Sequence, residues 1–150
     1  MKYQAQMEIA VQEVCKQIND ISKVMFSGLA LLAAAMANGG SFRGQTVLSA
    51  SGWKALHDFP KDGMLGTKSV KFTQGGVAQF EEEDITETSG RLGYYGWMGY
   101  GGSVFQWHPE LKIGFGYAPT LLQWFDFTNN KARLLQGEVE KCARKLQGGN

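Results

Sequence analysis

A chain of 150 residues with 43 % hydrophobic side chains is long enough to bury roughly two-thirds of its unfolded surface in one modest core, which excludes a disordered tail. Its 15 basic and 14 acidic residues leave a formal net charge of +1, so the electrostatic footprint that nucleic-acid binding requires is missing. Met1 to Glu8 carries neither the basic nor the apolar region of a secretory leader, and an intracellular location is expected.

Met7, Val11, Val14, Ile18, Ile21 and Met25 recur at spacings of four and three, the pattern of an amphipathic helix. Its apolar stripe is expected to cover the domain's own sheet. The same spacing also permits pairing with a second helix, hence a homo-oligomer, although it spans fewer than three heptads. Residues 1–21 are therefore set apart from a domain segment at 22–147 and a flexible tail at 148–150. Asn19, Asp20 and Ser22 can cap a second helix that runs through Ala37 and stops at Asn38-Gly39-Gly40, where glycine takes the left-handed conformation without strain. The apolar run Val24 to Ala37 falls short of the roughly 20 residues a membrane helix needs and reads as a core helix; no membrane span is expected. A short helix follows from Ala50 to His57, with Ser49 as its N-cap and Pro60 beyond its end.

From Thr67 the period changes to that of strands. Val70 and Phe72, then Val77, Gln79 and Phe80, form short pieces split by a Gly75-Gly76 turn. Gly63 to Ser69 has the composition of a phosphate loop but the wrong Gly-Lys-Ser order. Glu81-Glu82-Glu83-Asp84 repels itself and reads as a solvated loop. Leu92 to Met98, Gly102 to Trp107 and Leu111 to Tyr117 read as three more strands. His108-Pro109-Glu110-Leu111 makes a tight turn between the last two, which must then be antiparallel neighbours. A final helix carries Ala132, Leu135, Val139, Cys142 and Leu146 on one stripe.

The expected fold is α+β, an antiparallel sheet with N- and C-terminal helices on one face. Ile18, Ile21, Met25, Leu29, Leu32, Met36, Val139 and Cys142 are its expected core. Cys15 and Cys142 read as small buried residues, and whether they pair is open. Trp53, Trp107 and Trp124 read as core or rim aromatics. His57 and His108 have no companions at metal-ligand spacing and read as surface or turn residues; no metal or other cofactor is expected.

Residues 96–119 join a glycine-rich segment, a Pro-bearing turn and a strand. Gly99, Gly101 and Gly102 stand among strand formers, where glycine weakens a sheet unless a ligand or another backbone must come close. The block Gly96-Trp97-Met98-Gly99-Tyr100-Gly101-Gly102-Ser103, followed by Trp107-His108-Pro109-Glu110 and Ile113-Gly114-Phe115-Gly116, resembles the C-terminal part of the β-lactamase-like serine hydrolases, which include class C β-lactamases, penicillin-binding proteins and related esterases. Leu29 to Gly40, Val47-Leu48-Ser49 and Phe72 to Val77 match in the same order, so the resemblance runs from about Ser22 to Leu146. It implies a partial penicillin-binding-protein-like fold in which Trp97-Met98-Gly99 is the triplet on the active-site strand. Trp97, Gly99, Tyr100 and Gly101 would line the cleft, and the Tyr100 amide would be the oxyanion donor. An aromatic residue at Trp97, in place of the lysine or histidine of many relatives, implies an uncharged acyl substrate, since indole has no basic nitrogen.

The family's nucleophile lies in an S-x-x-K helix start, assisted by a Y-x-N loop. This sequence has no Y-x-N, and its one S-x-x-K is Ser51-Gly52-Trp53-Lys54. Eight serines and eleven lysines yield about 0.6 such matches by chance, and Ser51 with Lys54 sits where the family has an ordinary helix. The resemblance thus implies a remnant or truncated hydrolase, not catalytic alone. Two alternatives are an active esterase or amidase, using Ser51 and Lys54 or completed by another chain, and a non-enzymatic interaction module built on the N-terminal helix.

Overall fold

The computed structural model describes residues 27–65, 68–81, 91–99, 101–119 and 130–148; the amphipathic stripe from Met7 to Met25, Trp124 and Tyr100 lie outside them. Helix α1 (Ser27–Ala37) ends where Asn38-Gly39-Gly40 predicts. Gly39 and Gly40 take φ of 74° and 96°, the Gly40 amide donates to Ala35 O at 2.9 Å, and Asn38 Nδ2 donates to Ala34 O at 2.8 Å. The last-turn carbonyls are thereby satisfied. A hairpin of β1 (Ser41–Phe42) and β2 (Gln45–Thr46) leads to helix α2 (Ala50–His57). Its N-cap is Ser49, whose Oγ accepts from the Gly52 amide at 3.1 Å.

Six strands then form one antiparallel sheet in sequence order: β3 (Lys61–Leu65), β4 (Lys68–Phe72), β5 (Ala78–Gln79), β6 (Tyr95–Met98), β7 (Val104–His108) and β8 (Ile113–Tyr117). The predicted β7–β8 hairpin is present, with His108 opposite Ile113 across the Pro109 turn. Strand β3 is new. Its Lys-Asp-Gly start lacks strand formers, yet it pairs with β4 over its full length. Helix α3 (Asn130–Gly148) closes the described chain.

The helices occupy both faces of the sheet, not one. Register places Trp107 beside Gly114 on one face and His108 beside Ile113 on the other, because successive strand residues alternate. On the first face Trp107 packs with Met36 and Ala37 of α1 and with Trp53 and Leu56 of α2. On the second, Ile113, Ala78, Phe80 and Tyr94 pack with Val139 and Ala143 of α3. Covered on both sides, β7 is buried at Val104, Gln106, Trp107 and His108.

The glycines divide differently from the expectation. Gly99 and Gly102 make the β6–β7 turn, the Gly99 amide donating to Ser103 O at 2.7 Å and the Gly102 amide to Gly99 O at 3.1 Å. The close backbone approach falls on β8 instead: a Cβ on Gly114 would lie 2.6 Å from Ala34 Cα, and one on Gly116 would lie 3.1 Å from Ala30 N. Because α1 meets β8 through its alanines, Ala33 and Ala37 are fully buried, whereas Leu29 and Leu32, expected in the core, are half-buried. Ile18, Ile21 and Met25 lie outside the described residues.

Helix α3 turns Ala132, Val139 and Cys142 of its expected stripe inward, but not its two leucines. Leu135 and Leu146 are 50 % and 46 % exposed, while Ala132, Gln136 and Cys142 face the sheet. The reason is polar: Gln136 Nε2 donates to the buried Gln106 Oε1 at 2.6 Å, and Gln136 Oε1 accepts from Arg91 Nε at 3.3 Å. Buried side-chain amides left without such partners cost about 1–3 kcal/mol each. Cys142 is buried as expected and is not a free thiol; Cys15 lies outside the described residues. No described helix is long and apolar enough to cross a membrane.

Two glycine substitutions test this packing. Gly114→Ala drives a methyl into the backbone of Ala33 and Ala34 and should destabilise the protein by about 1–3 kcal/mol or more. Gly28→Ala, which meets nothing within 4 Å, should be neutral or stabilising by up to about 1 kcal/mol. Equal urea midpoints for the two variants would show that α1 does not rest on β8.

Candidate functional site

Trp97 and Met98 end strand β6, and Gly99 begins the turn that follows. Trp97 is 44 % exposed, with its ring centroid 5.7 Å from that of Phe72. Met98 is half-buried on the α3 face, where its sulfur receives Arg91 Nη1 at 3.3 Å. Strand β5 pairs with Tyr95 and Gly96 alone, so among the described residues the Met98 end of β6 has no strand beside it on that side. The Gly99 amide is already used by Ser103 O. Gly101 is half-buried in the turn, and the Tyr100 amide lies outside the described residues.

Ser51 and Lys54 share helix α2 but are engaged elsewhere. Lys54 Nζ donates to both carboxylate oxygens of Asp58, at 2.8 and 2.6 Å. Ser51 Oγ lies 3.2 Å from Ser49 Oγ. A serine is activated by a base within hydrogen-bond reach that can accept its proton. An ammonium held by a carboxylate is a poor acceptor, so this pair is not arranged as nucleophile and base.

The sheet's other end is chemically richer. An open cleft of about 590 Å³ lies between α2, the Tyr95 end of β6 and the β7–β8 turn. Trp53 and His57 contribute rings tilted by 33° with centroids 4.0 Å apart, and Tyr95 meets the His57 ring edge-on at 4.7 Å. His57 is held in one tautomer by its neighbours. Trp107 Nε1 reaches His57 Nε2 at 2.9 Å, and indole N–H can only donate, so Nε2 carries the lone pair. The proton is then on Nδ1, which donates to Trp53 O at 2.7 Å. A second proton on Nε2 would face the indole N–H. Burial lowers the pKa of His57, against the opposing pull of the Trp53 carbonyl and Asp58. Burial raises that of Tyr95, helped by Glu81 and Glu110.

His108, at 2 % exposure, is an interior group. Its Nδ1 accepts from the Leu111 amide at 3.3 Å, its ring lies edge-on to Tyr94 at 5.1 Å, and Gly93 leaves room for its Nε2. Burial lowers its pKa, opposed by Glu140 and Glu110. The surface-or-turn expectation therefore fails for the buried His108 at the end of β7, whereas His57 is half-buried and lines the open cleft. The spacing of Trp53 and His57, four apart on one helix, carried a signal of their contact. Nothing in the local sequence pointed to the bond between His57 and Trp107, fifty positions away.

No protein-family model matches the sequence, and neither a curated protein nor a solved structure matches it.

Two imidazoles with lowered pKa values set a pH dependence of stability. The unfolded chain takes up protons near pH 6.5, while the folded chain does so only at lower pH. Below that value the unfolded state binds more protons. The contribution is therefore complete above about pH 7 and is lost as pH falls from about 6.5 toward the folded values. Urea midpoints should drop between about pH 7.5 and 5.5, and the drop should shrink in His57→Gln and His108→Gln. A flat wild-type profile would contradict the tautomer assignment.

Proposed function

We propose that this chain is the sheet-and-helix portion of a β-lactamase-like serine hydrolase, a remnant or truncated form that does not hydrolyse substrate alone. The Gly96 to Gly116 block supports the family reading, since its residues fall on three consecutive antiparallel strands with the triplet at one strand end. A single observation carries the non-catalytic part: the one S-x-x-K of the sequence has its lysine bound by Asp58 and its serine beside Ser49. Acyl transfer needs nucleophile and base in mutual contact, with an oxyanion donor about 3 Å from the reacting oxygen. A donor strand without a nucleophile has no transition state to stabilise.

The second reading, an esterase completed by another chain that carries S-x-x-K and Y-x-N, is favoured by the exposure of Trp97 beside the unpaired end of β6. An uncharged acyl group would lie against that indole.

Purified alone, the chain should hydrolyse nitrocefin or a short p-nitrophenyl ester no faster than a folded control protein, and a fluorophosphonate should not label it stoichiometrically. Labelling abolished by Ser51→Ala but retained in Ser103→Ala would overturn this reading and make Ser51 a nucleophile. Ester hydrolysis that arises only when a chain bearing the two motifs is added would favour the second reading.

A further inference from the structure

The cleft at the Tyr95 end of β6 has a chemistry of its own, at the opposite end of that strand from the triplet. Its N–H groups are already spent. Trp53 Nε1 donates to Met36 O at 2.7 Å, Trp107 Nε1 to His57 Nε2 at 2.9 Å, and His57 Nδ1 to Trp53 O at 2.7 Å. What the aromatic wall still offers is ring surface, negative at each ring's centre, and the Tyr95 hydroxyl. Among the described residues lining the cleft there is no lysine or arginine, and its imidazole is neutral.

Two carboxylates, Glu81 and Glu110, complete the lining. Glu81 is engaged by Lys71 and by the Gln79 amide. Glu110 is exposed on the β7–β8 turn and makes no ion pair among the described residues. An anion entering this cleft would meet two carboxylates and no cationic side chain among the described lining residues, with the Tyr95 hydroxyl as a neutral donor. A cation with an apolar body would instead place its charge over ring faces, within the roughly 6 Å range of cation–π attraction, and near Glu110. The cleft volume of about 590 Å³ is in the range of small-molecule sites.

From this combination we infer that the cleft lined by Trp53, His57, Tyr95, Glu81 and Glu110 is a binding site for a small organic cation, an ammonium carried on an apolar group. The inference does not depend on the hydrolase reading.

Three probes that share one ring and differ in head-group charge test it: benzyltrimethylammonium, benzyl alcohol and benzoate, titrated against tryptophan fluorescence and by calorimetry. Benzyltrimethylammonium should bind saturably, benzyl alcohol about tenfold more weakly, and benzoate not measurably. Glu110→Gln, on an exposed turn, should keep the wild-type circular dichroism spectrum and weaken the ammonium probe about threefold to tenfold. Equal binding of the alcohol, saturable binding of benzoate, absence of saturable binding by the ammonium probe, or an unchanged affinity in Glu110→Gln would each overturn the assignment.

Discussion

The approach of helix α1 to strand β8 is the constraint on which the rest of one face depends. Side chains between a helix and a sheet normally hold the two backbones well apart. Here Gly114 and Gly116 remove them on the strand, and the helix presents Ala30, Ala33 and Ala34. Dispersion contacts between two backbones replace interdigitated side chains, and each added methyl would have nowhere to go. Trp107, beside Gly114 in register, then packs against Met36 and Ala37 at the end of α1. The same helix end receives Trp53 Nε1 at Met36 O, which anchors α2 against it. His57 is placed by this chain of contacts, one turn along α2 and within reach of the Trp107 indole.

The other face is ordered by polar groups. Gln106 and Gln136 are completely buried and Arg91 is 3 % exposed, so α3 docks where its glutamine meets both of them rather than where its leucines would be best hidden. Tyr94 lies within the same layer, and burial raises its pKa strongly, assisted by Glu140 and opposed by Arg144. The Gln136 amide bridges Gln106 Oε1 and Arg91 Nε, and leaving those buried groups without it would cost about 1–3 kcal/mol each.

Strand β6 joins two regions of different character. Its Met98 end carries the triplet and an exposed indole, beside a turn whose Gly99 amide is already bonded. Its Tyr95 end opens into an aromatic cleft whose indole and imidazole N–H groups are bonded within the protein. The proposed hydrolase ancestry concerns the first end, and the cation site concerns the second. A tautomer imposed on His57 by Trp107 links the cleft to the core, since the indole that sets its proton is also the centre of the α1 packing layer.

Local chemistry in the sequence was sufficient for α2, with Ser49 as its cap and Pro60 beyond it, for the Asn38-Gly39-Gly40 stop and for the antiparallel hairpin at Pro109. Each depends on residues within a few positions of one another, so the pattern and the interaction coincide. Strand β3 was missed because its pairing partner, not its composition, makes Lys61 to Leu65 extended. The turn role of Gly99 and Gly102 was hidden for a related reason: glycine permits both a tight turn and a close approach, and the neighbouring strands decide between them. The sequence by itself determined the α+β class, the bounds of α2, the stop of α1 and the antiparallel pairing of β7 with β8. The tertiary structure alone decided which glycines meet a helix, which face of α3 turns inward, and that His57 Nε2 accepts from the Trp107 indole. Those outcomes are set by partners such as Trp107 and Gln106 that lie far away along the chain and come close only when the sheet is assembled.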